Sequence, residues 1–227
     1  MSSLFDFPGK LRYHCVVPGE CGDGVCVASV PACASSDMCN DLIALCEQAQ
    51  FSTEQEGSSY TQATVDLEVD SAPTVRSWLL SRQLVHCVSR CMRATHGVVP
   101  VAFDDVFVVK YDATGSGLGC QRDLELHHDG GDVSFMLALS PLSAYSGGGT
   151  RFEVFGAGLE FLNNESIQDE TLHLEQGELL LFDAGLRHAG RAISAGRRYL
   201  LVGFCFTNDP DMARAPGNVD LMLTKIK

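Results

Sequence analysis

Two textures of apolar and polar positions divide the chain. Between residues 35 and 97 the apolar residues recur mostly at helical spacing. Ser35-Ser36-Asp37 offers an N-cap, and Met38, Leu42, Ile43 and Cys46 then share one face, which predicts a helix to about Gln50. Ser71-Ala72-Pro73 opens a second helix, with proline in its first turn. Its stripe of Leu79, Leu80, Leu84, Val85, Val88 and Met92 predicts one continuous helix to about Thr95, stopped by Gly97. Residues 62–69 alternate instead (Ala63, Val65, Leu67, Val69), as a half-buried strand does. Residues 24–30 also read as a strand, and 53–59 as a polar loop. From Ala102 onward, short apolar stretches separated by Gly, Asp and Asn take over, at 106–111, 133–139, 149–155, 178–182, 187–193 and 198–206.

Helices first and many strands second predict a mainly β fold with supporting helices on one side. A jelly roll is the economical form, because two antiparallel sheets leave a mouth in which distant residues converge. The expected organisation is one compact unit. Residues 1–20 are a flexible lead-in, 21–105 hold N-terminal strands and the supporting helices, 106–208 form the β core, and 209–227 are an extension packed on it.

Composition narrows the class. Hydrophobic residues make up 45% of the 227 positions, an ordinary globular value. No apolar run reaches the ~18–20 residues that span a bilayer, and the first residues lack a secretory apolar region. The expectation is an intracellular protein, cytoplasmic or nuclear, with no membrane partner. Ten cysteines then have to be reduced. Cys21 and Cys26 are the pair nearest to zinc-ligand spacing, but no equally tight second pair follows, so free thiols are expected. Cys87 and Cys91 share a helix face and read as small packing residues. The net charge of −13 and the pI of about 4.8 argue against nucleic acid; the acidic surface is either simply solvated or an aid to a basic peptide or protein partner.

Three motifs carry chemistry: Leu124-Glu-Leu-His127-His128-Asp129, Tyr145-Ser-Gly147-Gly148-Gly149-Thr150-Arg151-Phe152, and His188-Ala-Gly190 followed by Arg198-Tyr199. In an extended segment, residues i and i+2 point the same way, so His127 and Asp129 can reach one ion while His128 faces elsewhere. His188 lies far along the chain, at a separation expected of a crossing from one sheet to the other. Two imidazoles and one carboxylate are the set that holds ferrous iron with open coordination positions. Arg198 heads a strand face otherwise made of Leu200, Val202 and Phe204. A buried guanidinium is costly unless an anion pairs with it, and its planar fork suits a carboxylate. That anion is either an internal Asp or Glu or a dicarboxylate cosubstrate. Arg197 is expected to point outward into solvent, and the glycine run to serve only as a turn.

With these residues in place, the chain resembles the iron(II)- and 2-oxoglutarate-dependent dioxygenases. The resemblance is to the branch of prolyl and lysyl hydroxylases, the procollagen lysyl hydroxylases in particular. It rests on Phe107-Val-Val-Lys-Tyr111, Leu124-x-x-His127-His128-Asp129, Ser134-Phe135, Ala138-Leu139, the Tyr145-to-Phe152 motif, His188-x-Gly190 and Gly196-x-Arg198-Tyr199, over about residues 106–207. It implies a double-stranded β-helix. It also implies iron ligation by His127, Asp129 and His188, binding of the distal carboxylate of 2-oxoglutarate by Arg198, and help from Tyr111 in holding that cosubstrate. The implied reaction uses Fe(II), 2-oxoglutarate and O2, with ascorbate in support. It hydroxylates a C–H bond, expected on a prolyl or lysyl residue of a protein or peptide, and releases succinate and CO2. A small-molecule hydroxylase on the same scaffold, or a metal-binding jelly-roll module without turnover, are the alternatives. Asp129 argues against halogenation, and Phe204 stands where nucleic-acid demethylases of the family carry a second arginine. The segment between Tyr111 and the metal motif is glycine-rich (Gly115, Gly117, Gly119) and reads as a lip over the site or a long turn.

Overall fold

The computed structural model describes residues 12–14, 27–49, 51, 65–114, 123–153 and 170–207. The loop at 53–59, the Cys21/Cys26 pair, the 115–119 glycine lip and the extension at 209–227 lie outside the described residues. So does most of the 1–20 lead-in, although Arg12–His14 form a strand, β1, paired with β2 (Val27–Val30).

Three helices follow the predicted pattern with one correction. Helix α1 spans Ser36–Ala49 and buries Met38, Cys39, Leu42 and Cys46. The single helix expected from 73 to 95 is two, α2 (Pro73–Ser81) and α3 (Leu84–His96). Continuing the Val75/Leu79 face would bring Arg82 or Gln83 and then His86 inward. Instead Gln83 turns left-handed (φ 59°) and resets the phase, so that Leu84, Cys87, Val88, Cys91 and Met92 face the core. Gly97 ends α3 at φ 71°, the left-handed stop its position predicts.

The remaining strands are β3 (Asp66–Glu68), β4 (Pro100–Asp112), β5 (Leu124–His127), β6 (Val133–Ala138), β7 (Tyr145–Gly147), β8 (Thr150–Phe152), β9 (Glu170–Leu172), β10 (Leu179–Asp183), β11 (His188–Gly190) and β12 (Ile193–Thr207). Among the described residues they form two antiparallel sheets. The larger runs β1-β2-β10-β6-β12-β4-β3, with β7 beside the start of β12; the smaller runs β5-β11-β8-β9. Side-chain alternation sorts the large sheet into two faces. In β10, Leu179 and Leu181 pack with the helices, while Leu180 and Phe182 point into the space between the sheets. In β12, Tyr199 and Leu201 face the helices, and Leu200, Val202 and Phe204 face inward, as the pattern predicts. The order is therefore helices, large sheet, interior and small sheet, and the fold is a jelly roll buttressed on one side. No helix among the described residues is long and apolar enough to cross a membrane.

Candidate active site

The small sheet brings the predicted ligands together, by a route other than the expected one. His127 and His188 do not meet across the two sheets. They are direct register partners on the neighbouring strands β5 and β11, with ring centroids 4.4 Å apart. Between them the chain visits the large sheet twice, as β6 with β7 and again as β10, and this accounts for the long sequence separation. Asp129 lies just past the end of β5, where its backbone N–H donates to the Ala184 carbonyl. His127 Nε2 stands 3.3 Å from Asp129 Oδ1, and His188 Nε2 stands 3.5 Å from Asp129 Oδ2. The ligand atoms of all three lie within 4.8 Å of one another, so this group could hold a metal ion.

Each imidazole is held by its other nitrogen. His127 Nδ1 is 2.7 Å from the Glu125 carbonyl, and His188 Nδ1 is 3.0 Å from that of Leu186. A carbonyl only accepts, so these contacts place a proton on each Nδ1; in the neutral imidazoles the Nε2 lone pairs then face Asp129. Burial pushes the His188 pKa down, more than Asp129 lifts it, which favours the neutral ligand form. Burial alone would raise the Asp129 pKa. The nearby His188 and His127 imidazoles, with a hydrogen bond from Ser134, outweigh burial and keep the carboxyl below its usual range. The neutral imidazole and the charged carboxylate are the forms that bind metal. His128 points away, with Nδ1 2.8 Å from the Gly185 carbonyl. His86 and His173 are exposed.

Arg198 is 2% exposed. Its Nη1 donates to the Gly149 carbonyl (3.1 Å) and its Nη2 to Thr150 Oγ1 (3.2 Å). Among the described residues no carboxylate lies within ion-pair distance of it, so the internal Asp or Glu allowed by the sequence is not found. Tyr111 and Tyr145 place their rings 5.4 Å and 6.0 Å from the guanidinium carbon. Tyr111 is buried, and burial raises its pKa, which keeps the phenol protonated. A pocket open to solvent joins these parts, and its wall includes Tyr111, His127, Asp129, Thr150, His188 and Gly190. Arg198 is set just behind this wall, bonded to Thr150.

Two expectations need correction and one residue escaped notice. Arg197 is not simply solvated: its Nε donates to Asp112 Oδ2 at 2.7 Å, although the arginine side chain is half exposed. The glycine run is more than a turn. Gly147, Gly148 and Gly149 all take positive φ, and this fold of the backbone aims the Gly149 carbonyl at Arg198. Ser134, to which the sequence reading gave no role, donates from Oγ to Asp129 Oδ2 at 2.6 Å. Its signal was present: it is the lone hydroxyl in the fully buried strand Val133–Ala138.

No protein-family model matches the sequence, and no curated protein matches it. Solved structures do. A prolyl hydroxylase from Trichoplax adhaerens, in complex with a peptide fragment of a hypoxia inducible factor oxygen degradation domain, aligns at a TM-score of 0.54 and 16% identity. The match covers 79% of this chain and 83% of that one. A Pseudomonas putida prolyl-4-hydroxylase aligns at 0.54 and 13% identity, over 81% of this chain and 93% of that one. SnoK, a non-heme α-ketoglutarate-dependent carbocyclase from nogalamycin biosynthesis, aligns at 0.54 and 12% identity, over 79% of each chain. At these identities the likeness is one of fold. The chain has the double-stranded β-helix, or jelly-roll, fold in which 2-oxoglutarate-dependent oxygenases are built.

Proposed function

We propose that this protein is an Fe(II)- and 2-oxoglutarate-dependent dioxygenase that hydroxylates a C–H bond of a prolyl or lysyl residue in a protein or peptide. The observation that carries the reading is the pairing of two features on one cavity. Two imidazole lone pairs and a carboxylate converge at its wall, and behind it sits a buried guanidinium that has no carboxylate counter-ion among the described residues. The donor set fits ferrous iron, because three protein ligands on one side leave positions open for cosubstrate and dioxygen. His127, Asp129 and His188 would hold the ion. With 2-oxoglutarate and dioxygen it would supply the chemistry that puts one oxygen atom into an unactivated C–H bond and the other into succinate, with loss of CO2.

The chain's own residues do the positioning. Arg198 would pair with the distal carboxylate of 2-oxoglutarate, with Gly149 and Thr150 fixing the fork and Tyr111 flanking it. Ser134 orients Asp129. Phe107, Val109, Leu200 and Val202 keep that part of the cavity apolar, which excludes water and strengthens the charge pair. The net charge of −13 favours a basic polypeptide substrate over nucleic acid. The Trichoplax neighbour, seen with a peptide, supports the polypeptide reading. The apolar wall and the carbocyclase neighbour favour a small-molecule substrate as the second reading.

The test is succinate release from 2-oxoglutarate with Fe(II), ascorbate and oxygen, followed by mass spectrometry of a proline- and lysine-containing peptide library for gain of one oxygen atom. Turnover that disappears in His127→Ala and Arg198→Met is expected. Iron binding without any succinate, across a broad substrate panel, would leave only a metal-binding module.

A further inference from the structure

A second convergence of chemistry-bearing side chains lies on the opposite face of the large sheet, in the helical layer. Cys33, in the turn between β2 and α1, meets Cys87 and Cys91 of α3. Their three sulphur atoms all lie within 4.8 Å of one another. Cys33 Sγ and Cys87 Sγ are 3.1 Å apart. We propose that Cys33, Cys87 and Cys91 form a thiolate site for a soft, thiophilic d10 cation, cuprous copper or zinc, which ties α3 to the turn leading into α1.

Geometry carries the argument. Three sulphurs bound to one such ion at about 2.3 Å stand about 4 Å from one another. The observed group is already of that size, and its closest pair need open by less than about 1 Å. Cys87 and Cys91 are one helical turn apart on the same face, so two ligands come from one rigid element. Cys87 lies near the N-terminal end of α3, where the helix field favours a thiolate.

The arrangement is unlike the remaining buried cysteines. Cys39 donates singly to the Ala138 carbonyl (3.8 Å), and Cys39, Cys46 and Cys205 do not join the group. Those behave as small packing residues. Packing alone gives no reason for three thiols to face one another with 1%, 4% and 0% exposure.

Among the described residues the group has three members. Three thiolates satisfy cuprous copper in trigonal coordination, whereas zinc needs a fourth donor beyond them. Binding exchanges up to three S–H protons for one cation, with no change of oxidation state. The site does not depend on the iron reading. It lies in the helix-facing core, not in the interior between the sheets, and its donors are soft.

The experiment uses the full chain carrying Asp129→Ala, which disables the histidine–aspartate group, reduced, metal-free and kept anaerobic. Cu(I) and Zn(II) are titrated separately against chromophoric chelators, and thiol alkylation is mapped by mass spectrometry with and without metal. One tight equivalent is expected, with Cys33, Cys87 and Cys91 protected together. Uptake should weaken by about a hundredfold or more in Cys33→Ser and Cys91→Ser, and stay unchanged in Cys39→Ser. If the serine variants do not fold, the protection map of the parent chain decides. Reduced protein that takes up neither ion overturns the proposal, whether the thiols are then free or paired as a Cys33–Cys87 disulfide. Metal bound with unchanged alkylation of these three overturns it as well.

Discussion

Arg198→Met separates two accounts of the buried guanidinium that the sequence leaves open. The substitution keeps the length and apolar character of the stem and deletes the charge. In the structure it removes two hydrogen bonds, to Gly149 O and Thr150 Oγ1. Bonds from a charged donor contribute about 1.5–3 kcal/mol each. Against that loss stands the penalty for holding a cation at 2% exposure with no carboxylate beside it among the described residues, which is several kcal/mol. The two nearly offset, so the ligand-free variant should unfold within about 2 kcal/mol of the parent. Binding of 2-oxoglutarate is a different matter. Truncating one partner of a buried, hydrogen-bonded charge pair costs about 2–5 kcal/mol, a loss of affinity of roughly 30- to 5,000-fold. Urea unfolding measures the first quantity. Anaerobic calorimetric titration of 2-oxoglutarate, with Mn(II) in place of iron, measures the second. A variant that is severely destabilised yet binds 2-oxoglutarate like the parent would refute the reasoning, because the arginine would then serve the fold and not the cosubstrate.

Other expectations follow from single contacts. Ser134→Ala removes the hydroxyl that holds Asp129 Oδ2 and should weaken Mn(II) affinity by about 10- to 100-fold with little change in secondary structure; unchanged affinity would deny Ser134 its orienting role. Gly190→Ala would put a Cβ 2.5 Å from the Tyr111 hydroxyl and should cost about 1–3 kcal/mol of stability, part of it recovered by adding Tyr111→Phe; unfolding curves of the single and double variants decide this. In Asp112, burial opposes ionisation, but hydrogen bonds from Thr114 and then Arg197 hold the pKa below the usual carboxylate range. A depressed folded-state pKa gives stability that is present above the ordinary carboxylate pKa and is lost as pH falls through the folded value. The thermal midpoint of the parent should therefore exceed that of Asp112→Asn at neutral pH and converge with it in acid. A gap that does not close would refute the linkage.

The sequence by itself determined the pieces that depend on local rules. Alternation in 198–206 assigned Leu200, Val202 and Phe204 to one face and Tyr199 and Leu201 to the other, because successive strand side chains point to opposite sides. The helix stop at Gly97 was legible for a similarly local reason, since a left-handed residue costs glycine little. The shared reach of His127 and Asp129 was equally local. The break at Gln83 was harder to see, because Leu79, Leu80 and Leu84 look like one stripe until the inward face must match a particular sheet.

Tertiary structure decided what depends on which strands become neighbours. That His127 lies opposite His188 in one sheet is a matter of pairing register, which spacing along the chain does not encode. That Gly149 and Thr150 receive the Arg198 fork depends on β8 and β12 being brought together by the packed core. The meeting of Cys33 with Cys87 and Cys91 is of the same kind: one helix carries two of the sulphurs, and only the docking of that helix against a distant turn supplies the third.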